Sequence, residues 1–163
     1  MKRLTNFFFL ILLFSLSCKE TNNGIQEDKT VSKDIRYNEV NFDLIHKIKY
    51  YEAVEKWINY SELSEFILQI NSADYSSLID NKKFLLRFFK GIKYSIPNEL
   101  NKSEIISRLT VIETDFLLFE AMLSNYEIEN DEKIKMVKKI NNSFSNLNFQ
   151  IDKLLEKQSI IAD

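Results

Sequence analysis

An all-α fold is what this sequence predicts, on three observations. Two glycines and one proline in 163 residues leave few of the tight turns that β architectures need. Apolar residues recur at steps of four and three over the second half of the chain, the seam spacing of helices packed at shallow angles. Short polar breaks at 71–74, 97–101 and 125–130 separate four such segments, and links of that length force antiparallel neighbours. The architecture expected over residues 42–163 is therefore an up-down-up-down four-helix bundle. A hydrophobic fraction of 45% against 28% charged residues is a globular rather than a disordered composition.

The elements follow in order. Lys2 and Arg3 precede an apolar run from Phe7 to Phe14, continued by Leu16. The run is far short of the ~20 apolar residues that a spanning helix requires, and its charge and length predict a signal peptide over residues 1–17. From Lys19 to about Asn41 the chain is polar and aperiodic, with a turn signal at Asn22-Asn23-Gly24. Such a stretch buries too little apolar surface to offset its ordering entropy. Residues 18–41 are expected to form a flexible tether.

The first helical segment is expected from about Asp43 to Ile70. Leu44, Ile48, Tyr51 and Ile58 lie near one face, and Ala53, Trp57, Tyr60, Ser64 and Ile67 follow a second seam. Ser72 or Asp74 is placed to cap the next segment. That second segment, about Tyr75 to Ser95, sets Leu78, Leu85, Phe89, Ile92 and Ile96 on one stripe broadened by Phe84 and Phe88, and Pro97 ends it. Gly91 inside it costs ~1 kcal/mol against alanine, for which a close helix–helix approach is the expected reason. The third segment opens on Asn101-Lys102-Ser103-Glu104, similar to a capping box. Its seam is Ile105, Leu109, Ile112, Phe116, Phe119 and Leu123. The fourth, capped by Asn130 or Asp131, carries Val137, Ile140, Phe144, Leu147, Ile151 and Leu154. Helices of roughly 20–28 residues are expected. The alternative architecture is a helical hairpin pair that completes its core by forming a homodimer.

Ser15-Leu16-Ser17-Cys18 resembles the lipobox of bacterial lipoproteins, in the relaxed form of the Bacteroidota type. Ser15 stands where a large aliphatic residue is commoner. The resemblance implies cleavage before Cys18 and acylation of that cysteine, so that the membrane is a partner through the lipid and the location is the cell envelope, on the periplasmic face or at the cell surface. The chain has no second cysteine and thus no internal disulfide. The stretch from Ile96-Pro97 through Ser107-Arg108-Leu109 to Ile112-Glu113-Thr114 resembles small helical lipoproteins of the same bacteria, which implies location and fold and no activity.

Reactive constellations are hard to find. One histidine, His46, and one cysteine, Cys18, leave too few ligands for a Cys/His zinc site and no pair for Cys–His catalysis. There is no nucleophile elbow, phosphate-binding glycine loop or His-Glu-x-x-His. Glu127, Glu129 and Asp131 alternate like the first ligands of a calcium loop. The glycine and the closing glutamate of that loop are replaced by Glu132 and Lys138. No metal, no cofactor and no enzymatic activity are expected. Removing Lys2 and Arg3 with the leader leaves 20 basic against 24 acidic residues, a charge of −4, which gives no reason to expect nucleic acid. His46 reads as a boundary residue. Glu113 and Glu120 read as charges flanking the seam, and Glu104 with Arg108 as a helical ion pair.

One pattern stands apart. Lys83, Arg87, Lys90 and Tyr94 follow at four, three and four, a basic strip opposite the second segment's apolar stripe, with Lys82 and Lys93 at its edges. A basic amphipathic helix binds an anionic lipid surface or an acidic partner. A face balanced by neighbouring acids is the plainer reading. The expected function is that of an envelope interaction or accessory module whose partner is another envelope protein. The alternative is a bundle that holds a lipid or other hydrophobic ligand among its thirteen phenylalanines.

Overall fold

In the computed structural model, residues 45–124 and 128–162 are described, and the leader, Cys18 and the tether lie outside them. The described chain is all-α, with five helices: α1 (Glu52–Glu55), α2 (Ile58–Asn71), α3 (Lys82–Tyr94), α4 (Ser103–Leu123) and α5 (Asn130–Ala162). Their lengths of 14, 13, 21 and 33 residues for α2 to α5 depart from the even rods expected.

The expected first helix is broken. Residues 45–50 are not helical, because their backbone finds partners on α5. The His46 N–H donates to Ser145 Oγ at 2.9 Å, and the His46 carbonyl accepts from Asn148 Nδ2 at 2.9 Å. Asp152, buried on α5, accepts from the Lys49 and Tyr50 N–H groups at 3.0 and 3.4 Å and lies 2.7 Å from His46 Nε2. A second break follows α1 at Trp57, where the backbone leaves the helical region (ψ 84°). The indole there is buried and donates to the Ile92 carbonyl and Ser95 Oγ at 3.3 and 3.2 Å. Of the two seams expected on this segment, Trp57, Tyr60 and Ile67 are buried. Tyr51 and Ile58 are exposed.

α2 ends in a Schellman-type closure: Asp74 N–H reaches the Gln69 carbonyl at 3.0 Å and Ala73 N–H the Ile70 carbonyl at 3.2 Å. Asp74 does not cap a helix. Its carboxylate accepts from the N–H and hydroxyl of Ser76 at 3.0 and 2.6 Å, which organises the turns over 75–80 and delays α3 to Lys82. Pro97 follows the end of α3 as expected. α4 begins after Lys102, and neither Lys102 nor Asn101 caps it. The Glu104 carboxylate is turned to Ser103 Oγ at 3.1 Å, so the capping box does not form. At the first turn of α5 the Glu129 carbonyl accepts from Glu132 and Lys133 N–H.

Packing links the four longer helices in a closed series. Phe66 on α2 meets Phe84 and Phe88 on α3, with ring centroids 5.8 and 5.0 Å apart. Phe89 on α3 meets Phe116 on α4 at 5.6 Å. Asp115 on α4 accepts from Ser143 Oγ at 2.6 Å and pairs with Lys139 Nζ at 2.9 Å on α5. α5 returns to α2 through Asn148 and Tyr60, whose hydroxyl donates at 2.8 Å, and through a reciprocal amide pair of Asn71 with Asn141 at 2.8 and 3.1 Å. The core between them holds all six expected seam residues of α4 and five of the six on α5, with Leu154 partly buried. Each fully buried Leu, Ile or Phe contributes ~1.5–3 kcal/mol. The paired asparagines fix which residues meet, because an unpartnered buried amide is costly.

Candidate functional site

The basic strip is placed by the amphipathic α3. Leu85, Phe89 and Ile92 are drawn into the core, which turns Lys83, Arg87, Lys90 and Tyr94 outward. All four are exposed, Tyr94 at 93% of its surface. α3 also carries Lys82 and Lys93 and has no acidic residue. Lys93 is taken up by Glu113 of α4 at 2.5 Å, where Glu113 flanks the seam as its sequence position implies. Among the described residues, none of the ion pairs uses Lys83, Arg87 or Lys90. The Glu104–Arg108 pair is likewise not made, and Glu120 is buried rather than flanking.

Beside the strip runs a groove of about 650 Å³ between α2 and α3. Phe66, Phe84 and Phe88 form its floor, Glu62, Glu65 and Gln69 its α2 bank, and Arg87 its α3 bank. Phe66 and Phe84 are only partly buried, so aromatic surface faces solvent along the groove. Gly91 has no atom within 4 Å of where a side chain would begin, and its φ is negative. The close helix approach expected of it is absent.

The α2 bank was not legible as part of a site. Ile58, Glu62, Glu65 and Gln69 follow at four, three and four, the same spacing as the basic strip. Ile58 is 72% exposed, although the sequence pattern assigns it to a buried face. The repeated spacing on two adjacent segments, opposite in charge, was the available signal.

The second polar cluster is a clasp. The Asp152 carboxylate bonds His46 Nε2 and accepts from the N–H groups of Lys49 and Tyr50, which ties residues 45–50 to α5 and leaves His46 a part-buried boundary residue. Tyr60, within the core, has its phenol pKa raised by burial. Among the described residues, no three His, Cys, Asp or Glu side chains are grouped to hold a metal ion, and no helix is long and apolar enough to cross a membrane. Comparison with models of known families, with curated proteins and with solved structures gives no match.

Proposed function

We propose that this chain is a cell-envelope lipoprotein, cut before Cys18 and held to the membrane by acyl chains on that residue, whose helical domain acts through protein–protein contact at the α2–α3 face. The observation that carries the contact reading is the exposed strip of Lys83, Arg87 and Lys90, held in no ion pair among the described residues, beside a groove with an open aromatic floor. Exposed aromatic side chains and arginine are enriched in protein interfaces and lysine is not, so Arg87 and Tyr94 beside the aromatic floor carry this reading. The anchor reading is supported by a single cysteine directly behind a short apolar run.

The same proposal includes an up-down-up-down course for α2 to α5. Residue order reverses across each contact that fixes direction: Trp57 with Ser95 but Phe66 with Phe84, Lys93 with Glu113 but Phe89 with Phe116, and Tyr60 with Asn148 but Asn71 with Asn141.

Two variants test the function. Cys18→Ser abolishes labelling by a fatty-acid analogue and moves the protein from the membrane to the soluble fraction, because two or more acyl chains are what hold a protein stably. Unchanged membrane association and labelling reject the anchor. Lys83→Glu/Arg87→Glu/Lys90→Glu keeps the helical circular-dichroism signal and erases a band from the crosslinking pattern in native membranes. An unchanged pattern rejects the contact face. The aromatic floor favours one second reading, a bound hydrophobic molecule. In native mass spectrometry of the purified chain, a co-purified small molecule supports that reading and a bare chain supports the first.

A further inference from the structure

We propose that the occupant of the α2–α3 face is a second copy of this chain, docked so that α3 of each copy lies over α2 of the other. The inference rests on the reading of this face as a protein-contact surface and names its partner.

Four observations place the copies. α2 and α3 are antiparallel neighbours, since Trp57 meets Ser95 at one end and Phe66 meets Phe84 at the other. Each carries a strip with spacing four, three, four: Ile58, Glu62, Glu65 and Gln69 on α2, of which Gln69 is half-buried and accepts from Ser77 Oγ at 3.1 Å, and the exposed Lys83, Arg87, Lys90 and Tyr94 on α3. The contacts set the two strips level, because Phe66 sits between Phe84 and Phe88. Gln69 then stands beside Lys83, Glu65 beside Arg87, Glu62 beside Lys90 and Ile58 beside Tyr94. Finally, the two charged strips do not satisfy each other within one chain, as none of the ion pairs among the described residues joins Glu62 or Glu65 to Arg87 or Lys90.

A two-fold axis along the groove, parallel to both helices, keeps every level and exchanges the strips. Arg87 of each copy then faces Glu65 of the other, and Lys90 faces Glu62. Tyr94 covers Ile58, joining the two most exposed apolar side chains of the face, 93% and 72%, and Lys83 meets the neutral Gln69. Phe66 and Phe84 of both copies close over the shared groove. An axis across the helices instead lays α3 on α3, cation on cation, which is repulsive. The face is thus self-complementary under one two-fold operation, as an isologous dimer requires. A lipid surface or a foreign acidic protein satisfies the α3 strip and leaves Glu62 and Glu65 facing like charge, whereas a second copy satisfies both strips. At ~1.5 Å per residue the paired helices offer a patch of about 20 Å by 20 Å. That is below the standard interface of about 800 Å² per partner, in the range of weak, transient contacts.

The test is sedimentation equilibrium of the full-length chain in density-matched detergent, with circular dichroism as a check on folding. The wild type reaches twice the polypeptide mass as its concentration rises. Arg87→Glu and Glu65→Arg each weaken the dimer by about tenfold or more, since each change acts twice in an isologous contact. The two variants mixed form a dimer together, and the double variant R87E/E65R dimerises by itself. Recovery in the mixture belongs to self-pairing alone, because combining the two variants gives neither of them a better surface for phosphatidylglycerol vesicles or for a different acidic protein. A wild type that stays at one polypeptide mass up to hundreds of micromolar, or single variants that fall apart without recovery in the double variant, overturns the proposal. If the native-membrane band then contains a different protein, the contact reading stands and the self-pairing alone falls.

Discussion

Ala73 closes α2 at φ 60°, a left-handed backbone that costs an L side chain roughly 1–2 kcal/mol and that glycine adopts freely. Gly91 sits in the middle of α3 with negative φ and empty space around it, where glycine costs ~1 kcal/mol against alanine. Each residue suits the other's position. Ala73→Gly and Gly91→Ala are each expected to raise stability in denaturant unfolding by up to about 1 kcal/mol. The sites are on separate elements, so the gains add. Tyr60 gives a pH-dependent prediction. Burial raises its phenol pKa above the ordinary value of 10.0, so its contribution is fully present below pH 10 and is lost as pH rises beyond it. Tyr60→Phe removes a donor from buried Asn148, which costs about 1–3 kcal/mol at neutral pH. The variant also loses less stability than the wild type when thermal melts are carried above pH 10.

At the scale of elements, legibility followed the source of each helix's stability. α4 and α5 stand on unbroken seams, so periodicity alone located them and their core residues. The segment before Asn71 does not. Its start depends on what Ser145, Asn148 and Asp152 do a hundred residues later, and those residues read as ordinary polar positions on α5. The backbone of 45–50 is bound to them instead of to its own carbonyls, and Trp57 turns inward to reach Ile92. Hydrophobic spacing carries no information about such bonds, which is why it places Tyr51 and Ile58 on a buried face although both are exposed. Capping failed for a related reason: Glu104 accepts from its own backbone and from Ser103, which hold its carboxyl below the usual range, and so it does not reach back along the chain. The seams themselves are testable. Phe116→Ala and Leu147→Ala, both fully buried, cost ~2–5 kcal/mol each by lost burial and cavity formation, against ~0.5 kcal/mol or less for Lys102→Ala and Lys138→Ala on the exposed side. Equal small effects at all four positions contradict the packing.

At the scale of the whole molecule, charge is segregated onto adjacent helices. The α3 half of the face was legible, because four outward residues in register opposite an apolar stripe imply a strip whatever surrounds it. The α2 half was not, because recognising it requires knowing that the helix begins at Ile58 and which side of it meets α3. Tethering by a lipid, as proposed, confines copies of the domain to one surface and raises their effective concentration, a setting in which weak contacts of this kind operate. The central claim is that the α2–α3 face is where this protein meets protein. A photoreactive residue placed at Tyr94 in the full-length chain in its producing cells, and another at Lys138, exposed on α5, measure this directly. A discrete protein adduct is expected from position 94, absent from position 138 and lost when Lys83, Arg87 and Lys90 are changed to Glu. No adduct from 94, or the same adducts from both positions, contradicts it.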